Sequence, residues 1–253
     1  MDSGLYAAYS GLLTRTQALD TAANNLANIG TAGFRAQRDT FRGVLAGSVV
    51  NSGDGASQVG QAVNDYGTLG GSGIDLSQGQ LTVTGNPLDL AIQGEGFFAI
   101  KTAHGTRYTR DGGFLRSATG VLQTREGEPV LDTTGNPIIV PTGSVSVSGD
   151  GTVSVNAAGG NAIAGQVGKF TFADPARLQA EGTNRFVAAD GAIPIAASGE
   201  IHEGALEGAN QDAVHGTMQL MLVQRQAEMM QKALSVFHND FDKTAAEELG
   251  KVS

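Results

Sequence analysis

Between residues 213 and 241 small and apolar residues recur at alternating spacings of three and four: Ala213, Gly216, Leu220, Val223, Ala227, Met230, Leu234, Phe237 and Phe241. That is the period of a heptad seam, so the end of this chain is committed to a long helix with one face turned to a partner. A second row, Met218, Met221, Leu222, Met229 and Val236, widens the apolar face beyond the seam of a two-stranded coil and predicts contact with more than one neighbour. Near the start, Leu5, Leu12, Leu19 and Leu26 stand seven apart, with Ala8, Ala22 and Ile29 three further on and Arg15 interrupting that second row. This predicts another amphipathic helix, starting at Asp2 or Ser3, whose side-chain oxygens can cap the first turn. It is expected to end near Gly30 or Gly33, since glycine readily takes the left-handed conformation after a helix.

Helix nucleation is costly, and most helical stability comes from burying the apolar face, so neither terminal helix is expected to stand alone in water. Two arrangements satisfy them: pairing within one chain, or packing against other copies. The two are compatible, because a terminal pair can itself be the unit that packs.

With 253 residues, 40% hydrophobic and 16% charged, the chain can bury a substantial core. The net charge of -9 and the lack of any basic run argue against nucleic acid as a partner. No apolar stretch is long enough to span a bilayer, and residues 1–30 lack the basic, apolar and cleavage regions of a secretory signal, which by itself predicts a cytoplasmic location. The absence of cysteine removes disulfides and thiol chemistry.

Residues 43–79 are dominated by Gly, Ser, Ala, Asn and Gln, a composition expected to form an extended connector that orders only against neighbours. From Gln80 onward period-two alternation takes over: Leu81 and Val83, then Leu88, Leu90 and Ile92, then Phe97 and Phe98. Turn signals such as Gly85-Asn86-Pro87, Asp111-Gly112-Gly113 and Thr134-Gly135-Asn136-Pro137 separate these strands. Val145 and Val147 are expected to face Val153 and Val155 across Gly149-Asp150-Gly151. The predicted fold is α+β, with N- and C-terminal helices pairing as a coiled-coil-like bundle around a central antiparallel all-β domain of sandwich or partly open barrel type. The expected division is 1–42 assembly helix and turn, 43–79 connector, 80–205 β-domain and 206–253 assembly helix.

Catalytic constellations are scarce. His104, His202, His215 and His238 are isolated, so no metal ligand set is predicted. Gly94-Glu95-Gly96 is followed by Phe97 and Phe98 where a dinucleotide fingerprint needs a helix and a third glycine, which reads as a turn before a strand. The carboxylates Asp75, Asp89, Asp111 and Asp132 lie on separate turns, and no serine sits in a nucleophile elbow. The chain is therefore expected to be no enzyme and to need no cofactor, metal or small-molecule substrate. Two other classes remain open on residue pattern alone: a binding or adhesion module oligomerised by terminal coiled coils, and a cell-wall glycan hydrolase, which would require paired carboxylates in one cleft.

One segment resists an explanation from local propensity. In Ala23-Asn24-Asn25-Leu26-Ala27-Asn28-Ile29-Gly30-Thr31-Ala32-Gly33-Phe34-Arg35, three asparagines in five residues weaken the helix they close, so contacts beyond the helix are expected to hold them. This run resembles the signature of the bacterial flagellar basal-body rod and hook family, an Asn-Leu-Ala-Asn run followed by a Thr-x-Gly-Phe-Lys/Arg turn. Three further segments resemble the family's β-domain in order: Gly85 through Phe98, Tyr108-Thr109-Arg110-Asp111-Gly112-Gly113-Phe114, and Gly127-Glu128-Pro129-Val130-Leu131. Leu206-Glu207-Gly208-Ala209-Asn210 is similar to the family's Leu-Glu-x-Ser-Asn lead-in to the last helix, with Ala209 in place of Ser. Ala32 stands where Pro is common, which makes that turn less rigid. The opening Met1-Asp2 with Leu5-Tyr6, and the turn Gly33-Phe34-Arg35-Ala36-Gln37, are closer to the proximal-rod branch than to the distal-rod branch, which is the alternative.

The resemblance implies a structural subunit needed for motility, exported through the flagellar type III export apparatus without a cleaved signal. Its partners would be other copies of itself and other rod proteins in a periplasm-spanning tube, and its helices would fold as they assemble. Heterologous contacts that do not close into a ring would build the helical tube that transmits torque. The residues expected to carry assembly are Leu5, Leu12, Leu19, Asn25, Leu26 and Asn28 in the first helix, and Leu220, Val223, Ala227, Met230, Leu234, Phe237 and Phe241 in the last.

Overall fold

The computed structural model describes residues 2–43, 67–157, 160–189 and 191–249. Its fold is α+β: a helix at each end and a mostly antiparallel β-domain between them. Helix α1 spans Asp2–Ala27 and helix α2 spans Ala213–Leu249. The chain divides into two compact units. The first takes Met1–Leu26, Gln37–Gly73 and Ala213–Ser253, and the second takes Ala27–Ala36 and Ile74–Asp212.

In the first unit, strand β1 (Gln37–Gly43) pairs with β2 (Gly67–Ile74). Part of the Gly-rich stretch 43–79 expected as a connector is thus a strand, 75–79 follow without regular structure, and 44–66 lie outside the described residues. The buried line on α1 is Gly11, Thr14, Ala18, Ala22 and Asn25, while Leu12, Leu19 and Leu26 are half-buried beside it. On α2 the innermost line follows the heptad spacing from Gly216 onward, while Ala213, the first member of the expected seam, is exposed. Gly216 and Ala227 are buried, with Leu220, Val223, Met230 and Leu234 half-buried.

Helix α1 stops at Ala27, before the glycines expected to end it. The Asn28 carbonyl accepts from Thr31 N at 3.0 Å, closing a turn instead of extending the helix. Gly33 then takes φ +68°. A Cβ at this position would overlap the Asp111 backbone nitrogen, so both the dihedral and the close approach demand glycine.

The second unit is built on an open six-stranded sheet. Its members are β5 (Phe97–Thr102), β6 (Gly105–Thr109), β12 (Lys169–Phe172), β13 (Leu178–Glu181), β14 (Arg185–Ala188) and β15 (Pro194–Ala196). They run in the order β13-β14-β6-β5-β12-β15. Strand β5 is central and buried on both faces. Phe98 and Ile100 point into a core with Leu90, Ile92, Phe114, Leu122, Val130 and Val155. Phe97 and Ala99 point into another with Tyr108, Phe172, Leu178 and Phe186. This is why Phe97-Phe98-Ala99-Ile100 reads as a continuous apolar run instead of an alternation. Edge-to-face ring pairs fix both sides, Phe98 with Phe114 at 5.1 Å and Phe97 with Phe186 at 5.3 Å.

Smaller sheets complete the unit. Strands β9 (Ser144–Val147), β10 (Thr152–Ala157) and β11 (Gly160–Gln166) form a three-stranded sheet in which Val147 faces Val153 and Val145 faces Val155, the register expected of that hairpin. Strands β7 (Leu115–Arg116) and β8 (Leu122–Gln123) pair with each other. Two pairings matter most for function. Strand β4 (Leu90–Gln93) pairs antiparallel with β16 (Glu200–Glu203), and β3 (Leu81–Val83) with β17 (Ala205–Glu207). They tie the segment leading to the last helix onto the start of the β-domain. The turn between β3 and β4 satisfies its own polar groups, because the buried Asp89 carboxylate accepts from Thr84 Oγ1 at 2.7 Å and from Asn86 Nδ2 at 2.9 Å.

Candidate assembly site

Two features stand out, one in each unit: an uncovered apolar stripe and a buried cluster of charge. Along α2, Val214, Met218, Met221, Leu222, Met229 and Val236 are 57–66% exposed. Met218, Leu222, Met229 and Val236 share one line with the exposed Arg225 and Lys232, at spacings of four and three. On α1, Tyr9 and Leu13 are similarly uncovered. A run of apolar side chains this long on one helix face marks an interaction surface. Of the residues expected to carry assembly, Ala227 and Asn25 are buried, and Leu12, Leu19, Leu26, Asn28, Leu220, Val223, Met230 and Leu234 are half-buried. The side chains of Leu5, Phe237 and Phe241 lie outside the described residues. Within the same unit, Ala18 and Ala22 of α1, Gln37 and Asp39 of β1, and Leu222 and Val223 of α2 line one cavity of about 240 Å³.

Asn25 shows what the asparagine run does. Its Oδ1 accepts from Gln37 N at 2.9 Å and its Nδ2 donates to Gln37 O at 2.8 Å, so one side chain pairs with both polar groups of a backbone residue as a neighbouring strand would. Asn210 does the same work before α2. Its Oδ1 accepts from Ala36 N at 2.8 Å, and its Nδ2 donates to the Asp75 carbonyl at 2.8 Å.

The charge cluster was not legible in the sequence. Glu207, fully buried on β17, accepts from Arg35 Nη2 at 2.6 Å through one oxygen and from Arg110 Nη1 at 3.0 Å through the other. Gly79 N adds a third donor at 2.8 Å. Arg110 also donates to the carbonyls of Ile92 at 3.0 Å and Gly94 at 2.6 Å. Its guanidinium lies 5.3 Å from the Phe97 ring centre. Burial pushes the Arg110 guanidinium below its ordinary value, and the Glu207 charge opposes that shift. The three residues are far apart in the chain, but each falls within a different family-like segment. That shared placement was the available signal.

Near the Gly33 turn, Thr31, Asp111, Arg125, Glu126, Asn184 and Arg185 border a groove of about 710 Å³. Asp111 accepts from Gly113 N at 2.9 Å and from Asn184 Nδ2 at 3.0 Å. Even so, burial holds its carboxyl above the ordinary aspartate range, opposed by the Gly113 amide and by Arg125. Among the described residues no three His, Asp or Glu side chains converge as a metal ion would need.

Comparison with known proteins assigns these features a common context. Residues 5–35 match the family model for the flagella basal body rod protein, and residues 91–155 match that for the flagellar hook protein FlgE/F/G D1 domain. The flagellar basal-body rod protein FlgF of Caulobacter vibrioides is 34% identical over 254 residues, covering 100% of both chains. The chain belongs to the flagellar basal-body rod protein family. FlgG of the same organism, also a flagellar basal-body rod protein, is 34% identical over 246 residues, covering 91% of this chain and 94% of its own. FlgF of Mesorhizobium japonicum is 39% identical over 135 residues, about half of each chain. The first match spans α1 and the Gly33 turn, so in this rod protein the segment holding Asn25 and Arg35 is part of what defines the family.

Replacing Glu207 with Gln leaves two buried guanidinium groups without their carboxylate, and such broken buried pairs cost about 3–5 kcal/mol. Urea unfolding of Glu207→Gln is expected to show a loss of that size, and a loss below about 1 kcal/mol would mean that the cluster does not hold the unit. Asp111 gives a pH signature. Its folded pKa is raised, so its favourable contribution is complete below the unfolded value and is lost as pH rises through the folded one. The stability of Asp111→Asn relative to the native chain is therefore expected to increase from pH 3 to pH 7, and a flat difference would contradict the burial argument.

Proposed function

We propose that this rod subunit is the proximal-rod member, and that it assembles through the two terminal helices. That it is a structural subunit of the flagellar basal-body rod, working beside other rod subunits in the basal body, follows from its family. The finer reading rests chiefly on the uncovered Met-rich stripe of α2. A methionine stripe adapts to irregular partner surfaces, which suits packing against neighbours that are not all identical. The inner seam, Gly216, Leu220, Val223, Ala227, Met230 and Leu234, with Phe237 and Phe241 continuing its spacing, would pair with α1 in a coiled-coil-like bundle. The outer stripe would then meet the next subunits, including other copies of this chain.

The mechanism is mechanical. Subunits pass unfolded through the flagellar type III export apparatus without a cleaved signal, and the helices order against the growing end. Repeated heterologous contacts build a tube across the periplasm that carries motor torque. Residues 1–42 and 206–253 are the assembly segments, 43–79 a connector that orders against neighbours, and 80–205 a β-domain at the outside of the tube. The proximal assignment is supported by the FlgF relative that covers both chains completely. The equal identity to FlgG keeps the distal rod as the second reading.

Met221→Glu combined with Met229→Glu is expected to leave the free subunit's melting midpoint within about 2 °C, because both side chains are exposed and glutamate is a good helix former. Swimming in soft agar is expected to fall to the non-motile background, and normal swimming would overturn the stripe as an assembly surface. Mass spectrometry of purified hook and basal-body complexes decides the branch. Abundance at a small fraction of the distal rod protein supports the proximal assignment, equal abundance moves it to the distal rod, and absence removes the rod reading.

A further inference from the structure

Four of the chain's five methionines, Met218, Met221, Met229 and Met230, lie together on α2. Met218 and Met221 are 63% exposed and Met229 62%, whereas Met230, on the inner seam, is half-buried. A thioether adapts to an irregular partner, but its sulfur also carries a chemistry that leucine, an equally good helix former of similar volume, lacks. Oxidation turns the flexible apolar side chain of methionine into a polar one, and a reductase can reverse the change. The chain has no cysteine, so no thiol in it competes for an oxidant. Arg225, also exposed, stands four residues from Met221 and four from Met229, on the same side of the helix.

We propose that the methionine stripe of α2 is a reversible oxidation site, at which hydrogen peroxide converts Met218, Met221 and Met229 to sulfoxides in the unassembled subunit and so removes its apolar face. In each step the thioether sulfur gives an electron pair to one peroxide oxygen, the O–O bond breaks and an S–O bond forms. The sulfur is oxidised by two electrons and the peroxide leaves as water. The new sulfoxide oxygen is a hydrogen-bond acceptor, and Arg225 can donate to it from one helical turn away at Met221 or Met229. A thiol-dependent methionine sulfoxide reductase restores the thioether, two thiols closing to a disulfide while the oxygen leaves as water. Three sulfoxides break up the apolar run that Val214, Leu222 and Val236 otherwise continue. That this keeps the subunit out of the rod rests on the rod reading above, while the oxidation itself rests on the exposure and chemistry of the stripe.

The test treats the full chain with hydrogen peroxide and follows each methionine by peptide mass spectrometry. Met218, Met221 and Met229 are expected to gain an oxygen about fivefold faster than Met230, in line with their exposure. Retention on a phenyl hydrophobic-interaction column is expected to fall as they oxidise and to return once methionine sulfoxide reductases A and B have acted, since each reduces one epimer. In a variant combining Met218→Leu, Met221→Leu and Met229→Leu, the same treatment should leave retention where it was. Equal rates at the four methionines, an unmoved retention in the native chain, or an equal fall in the triple variant would overturn the site. Assembly is read in cells lacking the reductases. Isotope-labelled chain is oxidised while unassembled and the peroxide is quenched. The sulfoxide content of labelled chain that then enters basal bodies is compared with that of labelled chain left outside. Depletion of roughly tenfold in the basal bodies supports exclusion of the oxidised subunit, corresponding to a weakening of contact by about 1.4 kcal/mol. Equal content in both pools overturns exclusion. Labelled chain that never enters basal bodies removes the rod reading and exclusion together, and leaves the oxidation site standing on the chromatography and the peptide rates.

Discussion

The Glu207 carboxylate, closed inside protein and shared by Arg35 and Arg110, is the interaction on which the β-domain's organisation depends. Arg35 belongs to the turn that follows α1, Glu207 to the strand that precedes α2, and Arg110 to the end of the central hairpin β5-β6. One buried anion thus holds the segment leaving the first helix and the segment approaching the last on the same β-domain. A salt bridge of this kind adds little stability compared with an apolar core of equal volume, but breaking it is costly. Its worth is therefore in specifying one arrangement of three distant segments.

Backbone-mimicking asparagines extend the same logic. Asn25 and Asn210 each satisfy two or more main-chain groups that irregular segments would otherwise leave unpaired. Both positions sit where regular structure ends, and there a side chain has to supply the hydrogen bonds that a ladder or helix no longer provides. The asparagines weaken α1 locally, and Asn25 ties its end to the first residue of β1.

The uncovered stripe on α2 belongs with this design. Apolar side chains also stand exposed in the β-domain, among them Val83, Ile139, Ile163 and Ile193, but on α2 they line up along one helix face, while the β-domain closes its own cores around Phe97 and Phe98. The exposed stripe of α2 and the folding cores of the β-domain are separate in sequence.

Much of this architecture is legible in the amino-acid sequence. The heptad spacing of 216, 220, 223, 227, 230 and 234 locates the inner face of α2, because helical periodicity is a local property that survives any tertiary context. The valine hairpin across Gly149-Asp150-Gly151 is legible for the same reason, since alternation and turn chemistry set register without long-range help. The inner line of α1 is not, as leucines dominate a pattern by hydrophobicity while the structure buries Gly11, Ala18 and Ala22 and leaves Leu12, Leu19 and Leu26 half-buried. Nor is the charge cluster, whose members are separated by up to 172 residues and meet only when β3-β17 and β4-β16 pair. Sequence by itself located the two terminal helices, the strand at Phe97 and the valine hairpin and pointed to the family, but it read the strand Gly67–Ile74 as connector and carried α1 past Ala27. Only the tertiary structure decided which charges are buried together, because desolvation depends on every segment that closes around them.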